Sequence, residues 1–122
     1  MIKEKRFSLF RNFKHSMDGF SEVFRHEMAM RVEVFAFVGM SIVLIFLPIG
    51  LVYKGILFLS LFLPLFAEIV NSAIERAVDL STQEYHIMAK RAKDAGSAVV
   101  LLSLLMTGLI WAFVLSVAFG IV

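Results

Sequence analysis

The sequence contains no cysteine. Disulfides, thiolate metal sites and thiol nucleophiles are therefore excluded. Charge is scarce as well: 18% of residues are Asp, Glu, Lys or Arg, against about 25% in ordinary soluble domains. There is no GxxxxGK[ST] phosphate loop and no kinase-type Gly-rich loop, so any use of a nucleotide needs an unusual site. No internal repeat, low-complexity tract or linker is visible. A net charge of +2 is too small for a nucleic-acid footprint despite a pI near 9.2, so no nucleic-acid partner is expected. What fills the 122 residues is apolar: 60% are hydrophobic and the mean hydropathy is +0.86. Soluble domains hold about 45–50%. A water-soluble domain and a disordered chain are both excluded, and residues 1–122 read as a single membrane domain.

Gaps between charges locate the membrane. Residues 34–53, 55–67 and 95–122 carry no Asp, Glu, Lys or Arg, and a spanning helix needs about 20 apolar residues. Leu47-Pro48-Ile49-Gly50 reads as a turn, because Pro removes a donor and Gly permits a reversal. Three spans follow, at about 29–47, 51–80 and 92–119. Backbone groups in lipid must bond internally, so the spans are expected to be helices and the fold all-α.

Lys and Arg set the orientation. Lys3, Lys5, Arg6, Arg11, Lys14, Arg25 and Arg31 precede the first span, and Arg76, Lys90, Arg91 and Lys93 cluster around the second loop. The first loop has Lys54 alone. The positive-inside rule makes the N-terminus and second loop cytoplasmic and the C-terminus external. The location expected is the bacterial inner membrane. The N-terminal segment has no apolar h-region, so a signal peptide is not expected. Instead Phe10, Phe13, Met17, Phe20 and Phe24 fall within about 80° of helical arc, opposite Arg11, Lys14, Asp18 and Glu22. This predicts an amphipathic surface helix, at about 5–26, lying in the headgroup plane.

The second span holds a polar stripe. With Glu68 as zero, Glu75, Asp79, Ser72 and Asn71 lie at about −20°, +20°, +40° and −60°. Glu75 is about 10 Å and Asp79 about 16 Å farther along the axis. A charge near the bilayer centre costs at least ~2.5–3.5 kcal/mol, so three carboxylates on one stripe must face helices, water or a cation. Glu68 lies deepest and suits a general base. Around it stand Glu27, Arg31 and Glu33 at the start of the first span, then Glu84, Tyr85, His86, Lys90, Arg91, Lys93 and Asp94. Singly, Glu27 and Arg31 read as a helix salt bridge, and Lys93 as a snorkelling side chain. Collectively they suit a Mg2+-bound polyphosphate, carboxylates holding the metal and cations meeting the phosphates. Three helices cannot enclose such a site, and Ala73, Ala77, Gly96, Ser97, Ala98, Ser103 and Gly108 offer close-packing surfaces. A homo-oligomer sharing its sites is expected.

Residues 68–79, reading E-I-V-N-S-A-I-E-R-A-V-D, resemble the E-x-x-N-[ST]-[SA]-[LIV]-E-x-x-[VI]-D pattern of the prokaryotic diacylglycerol kinase family. Glu84-Tyr85-His86 and residues 92–99 extend the likeness, which runs from about Arg6 to Phe119. The resemblance implies a homotrimer with three transmembrane helices and an N-terminal surface helix in each subunit. It implies transfer of the γ-phosphoryl of ATP, with Mg2+, to the hydroxyl of diacylglycerol. Glu68 then corresponds to the base. Glu27 and Glu75 correspond to carboxylates that contact metal and ATP, and Glu84, Tyr85, His86, Lys93 and Asp94 to further nucleotide contacts. Asn71 supports the base. Lipid contacts are implied for Ala29, Met30, Arg31, Val32, Glu33, Ser97 and Trp111.

Two positions of the expected ATP site depart from the family. Ser8 stands where it carries an Arg, with Arg6 and Arg11 the nearby candidates to replace it, and His15 stands where it carries a Tyr. A related branch phosphorylates undecaprenol. Residues 93–98 (K-D-A-G-S-A) and 27–33 (E-M-A-M-R-V-E) resemble the diacylglycerol branch instead. From another class, a proton-coupled transporter would use Glu68 as a carrier. Its outer half would need a relay, and residues 51–66 offer only Tyr53, Lys54 and Ser60. A regulatory subunit would have no use for the stripe.

Overall fold

The computed structural model describes residues 6–122; Lys3 and Lys5, counted in the charge bias, lie outside the described residues. Among the described residues five helices follow in order: α1 Leu9–His26, α2 Met28–Phe46, α3 Leu51–Ser60, α4 Phe62–Ser81 and α5 Ile87–Ala118. No strand occurs among the described residues. Three stretches are long and apolar enough to cross a membrane: Met28–Phe46, Leu51–Ser81 and Ile87–Ala118. The chain is an all-α membrane protein with three spans and an amphipathic N-terminal helix.

Ser8 begins α1, its hydroxyl accepting from the Arg11 N–H at 3.3 Å, the usual service of an N-cap serine. At the other end Arg31 closes the helix. Its guanidinium donates to the carbonyls of Arg25 at 2.8 Å and Phe24 at 3.3 Å, groups that a helix end leaves without partners. The Glu27–Arg31 side-chain pair expected from i,i+4 spacing does not form; Arg31 is spent on the cap, where two carbonyls converge. Glu27 is the one residue between α1 and α2, with extended φ and ψ of −122° and 121°. That corner turns its side chain toward α4.

The reversal after α2 follows Pro48 and Gly50. Lys54 reaches back to the Ile45 carbonyl at 3.0 Å, placing a cation at the α2 C-terminus. The second span is broken at Leu61, and Pro64 explains the break: it has no N–H to offer the Ser60 carbonyl. The Thr107 hydroxyl, which donates to Ser103 O at 2.8 Å, lies 3.4 Å from that carbonyl. The helix of the third span starts at Ile87 rather than near Ala92, because His86 caps it in water ahead of the apolar run. The His86 ring Nδ1 accepts from the Met88 N–H at 3.1 Å.

The α3–α4 helix is central. Half of its most apolar window is buried inside the protein, against 11% for α2 and 6% for α5. Its most extensive contact is between α4 and α5. Near the α2–α3 turn the core consists of Leu44, Leu57, Leu61 and Val114, backed by Phe37, Tyr53 and Trp111. Since lipid tails are as apolar as leucine, close packing and internal hydrogen bonds hold such helices together.

Candidate functional site

Glu68 is buried, 6% exposed, in the second turn of α4. One turn on, Asn71 and Ser72 are buried too, Glu75 is half-buried, and Asp79 is exposed. The polar stripe thus runs from the interior outward on one helix face. Glu27 approaches it from the α1–α2 corner. Its Oε2 accepts a hydrogen bond from the Ser72 hydroxyl and its Oε1 one from Arg76 at 3.2 Å. Ser72 and Arg76 are four residues apart, so consecutive turns of α4 meet the two oxygens of one carboxylate. Glu27, Glu33 and Glu75 lie close enough to Glu68 to repel its charge.

Of these, Glu27, Glu68, Asn71, Glu75, Arg76 and Asp79 line a groove of about 640 Å³, together with Ala29 and Ser97. Its far side is apolar, with Val100, Leu101 and Leu104 of α5. An acidic rim thus faces a greasy wall, which suits an amphiphile with its polar end at the carboxylates. Asn71 donates from Nδ2 to Glu75 Oε1 at 3.3 Å, while its Oδ1 is buried without a hydrogen-bond partner. The α5 residue beside it is Gly96, buried, where an added Cβ would stand 2.5 Å from Asn71 Oδ1. Glycine is therefore required for α5 to pass that close.

A second groove, also about 640 Å³, opens beyond the ends of α4 and α5. Glu84, Tyr85, His86, Lys90, Lys93 and Asp94 line it, and Asp79 borders both grooves. Lys93 Nζ pairs with Asp79 Oδ1 at 2.6 Å, tying α5 to α4 between them. Lys90 and Asp94 pair at 2.6 Å along α5. No group of three or more His, Cys, Asp or Glu side chains able to hold a metal occurs among the described residues. The carboxylates lining the inner groove are Glu27, Glu68, Glu75 and Asp79. That set fits Mg2+, which takes oxygen ligands and is usually bound by one or two carboxylates together with substrate phosphates.

The model of the prokaryotic diacylglycerol kinase family matches residues 14–115. The chain belongs to the prokaryotic diacylglycerol kinase family. It is 36% identical to a diacylglycerol kinase of Helicobacter pylori over 103 residues, 84% of this chain and 80% of that one. The Escherichia coli K12 diacylglycerol kinase is 34% identical over 106 residues, 87% of each chain. For the Haemophilus influenzae diacylglycerol kinase the identity is 33%, over 88% of this chain and 91% of the other.

Within this family member, the fold gathers most but not all of the residues that the motifs single out. Glu27, Ala29, Glu68, Asn71, Glu75 and Ser97 share the inner groove, and Glu84, Tyr85, His86, Lys93 and Asp94 share the outer one. Met30 is fully buried and Val32 is exposed outside both grooves. Ser8 is engaged as a cap, and His15 is exposed on α1. Trp111 donates its indole N–H to Ser60 Oγ at 3.0 Å, toward the opposite end of the span. Arg76 and Ser72 are the residues whose contacts sequence reasoning missed. The signal available was their i,i+4 spacing beside Glu75, but nothing in the sequence brings the remote Glu27 to them.

Proposed function

We propose that the chain is an ATP-dependent kinase that phosphorylates diacylglycerol to phosphatidic acid, with the inner groove as the reaction site. The observation that carries this reading is the position of Glu68. It is a buried carboxylate at the junction of an acidic rim and an apolar wall, in a chain of this family. The lipid tails lie along Val100, Leu101 and Leu104, with the hydroxyl at Glu68. Ala29 and Ser97 border that end, and Arg31, Val32 and Glu33 flank the entrance from the first span. Glu68 accepts or orients the hydroxyl proton, and Asn71 fixes the Glu75 carboxylate through its Nδ2. Glu27 and Glu75 would hold Mg2+ brought in with ATP, and the cation would supply neutralisation of the charge that develops on the transferred phosphoryl group. Lys93 meets the phosphates from the outer groove, and Glu84, Tyr85, His86 and Asp94 receive the rest of the nucleotide. Catalysis here is positioning and electrostatics rather than covalent chemistry.

The assembly proposed is a homotrimer. The inner groove is open on one side, and α5 leaves Leu101, Leu105, Leu109 and Phe113 exposed. Neighbouring copies would close the groove and cover part of that face. The orientation proposed puts α1 and the 82–86 loop in the cytoplasm of a bacterial cell, with the protein in its inner membrane. The apolar face of α1, where Phe10 and Phe13 stand exposed, rests on the headgroups.

The test is phosphoryl transfer from labelled ATP in proteoliposomes, with diacylglycerol and undecaprenol supplied in parallel. Labelled phosphatidic acid, lost on adding EDTA and restored by Mg2+, is the expected product. Preferential labelling of undecaprenol would move the chain to the other branch, and no labelling of either alcohol would sink the proposal.

A further inference from the structure

Arg76 stands between two carboxylates of the α1 end of the molecule. Its Nη2 is 3.2 Å from Glu27 Oε1 and its Nη1 is 3.9 Å from Glu22 Oε1. The side chain is 44% exposed, so it is reachable from the groove that it lines. Among the described residues lining that groove it is the one cation, against Glu27, Glu68, Glu75 and Asp79. Lys93, on the neighbouring groove, is already paired with Asp79. A groove of four carboxylates repels a polyphosphate, and a guanidinium is the side chain best shaped to reverse that.

We propose that Arg76 is a positioning residue for Glu27 that determines how tightly the groove holds a metal–nucleoside triphosphate. Glu27 is gripped on both oxygens, by Ser72 from within α4 and by Arg76 one turn outward. A carboxylate has about four lone-pair sites, so two bonds orient Glu27 and still leave it able to ligate. Glu22 faces the other arm of the guanidinium at ion-pair distance, 3.9 Å, and its carboxylate also lies 3.2 Å from His26 Nδ1. The same residue thereby ties the surface helix to α4. None of the family motifs quoted above specifies this position: it falls on an x of the E-x-x-[VI]-D segment.

This inference rests on the inner groove being the nucleotide site. The experiment measures binding of a non-hydrolysable ATP analogue with Mg2+ to the full-length protein in nanodiscs, alongside turnover. Arg76→Ala is expected to raise the analogue Kd and the KM for ATP together by about tenfold, the order a charge-assisted hydrogen bond supplies. Its KM for lipid stays within about twofold of the parent, since Glu68 and the apolar wall are untouched. Arg76→Lys recovers only part of the affinity, because a point charge does not span Glu27 and Glu22. An Arg76→Ala protein binding the analogue like the parent overturns the proposal, as does full recovery with Lys or a loss confined to kcat. If the parent itself binds no analogue, the failure lies with the assignment of the groove to nucleotide instead.

Discussion

The central helix meets α5 through two polar clusters built on different terms. Near its α3 end, Ser60 donates to Leu57 O at 2.6 Å and accepts from Trp111 at 3.0 Å, while Thr107 stands over the carbonyl that Pro64 leaves without a helix donor. Every side-chain polar atom there has a partner, and Leu57, Leu61 and Val114 enclose the set. Near the α4 end the stripe is open. Asn71 Oδ1 is buried with no partner, and Glu68 is buried among other carboxylates. Buried polar groups are normally satisfied, because leaving one unpaired costs on the order of 1–3 kcal/mol. A closed cluster holds a kink, whereas an unfinished one is the place to look for a ligand.

Substitutions at the two ends should therefore separate activity from stability. The largest effect expected is from Glu68→Gln. Loss of the base should lower kcat by about 10² to 10⁴-fold, with circular dichroism and thermal unfolding in detergent unchanged. Full turnover in that variant would refute the role of Glu68. Next is Gly96→Val, which drives a side chain into Asn71. The overpacking should lower stability by about 1–3 kcal/mol and cost activity as well. Gly108 is its control, since an added Cβ there meets nothing within 4 Å; Gly108→Ala should be neutral or slightly stabilising by the same unfolding assay. The smallest effect is from Trp111→Phe at the closed cluster. Losing one interhelical bond in a membrane should cost about 0.6 kcal/mol, with the KM for lipid unmoved. A raised lipid KM would instead make Trp111 a substrate contact and erase the distinction between the two ends.

Much of this architecture was legible beforehand, and for local reasons. The spans follow from charge-free runs and the first turn from Pro48 and Gly50. The stripe of Glu68, Asn71, Ser72, Glu75 and Asp79 follows from the helical period alone. Long-range partners were less legible. Arg31 has an acidic residue at i−4 and yet caps α1, because two helix-end carbonyls outcompete one carboxylate that Ser72 and Arg76 already engage. The pairing of Lys93 with Asp79 is a contact across helices and has no signal in the sequence. The break at Leu61 has its signal in Pro64, although that proline sits inside an otherwise uninterrupted apolar pattern.

Periodicity and charge are properties of a chain in isolation, and they are enough to set the number of spans, the amphipathic face of α1 and the polar residues sharing a face of α4. Which of those residues meet depends on how the helices pack. The α1–α2 corner carries Glu27 to Ser72 and Arg76, and the missing side chain at Gly96 lets α5 close on Asn71. Both contacts join residues distant in sequence, and they exist only once separate helices are packed side by side.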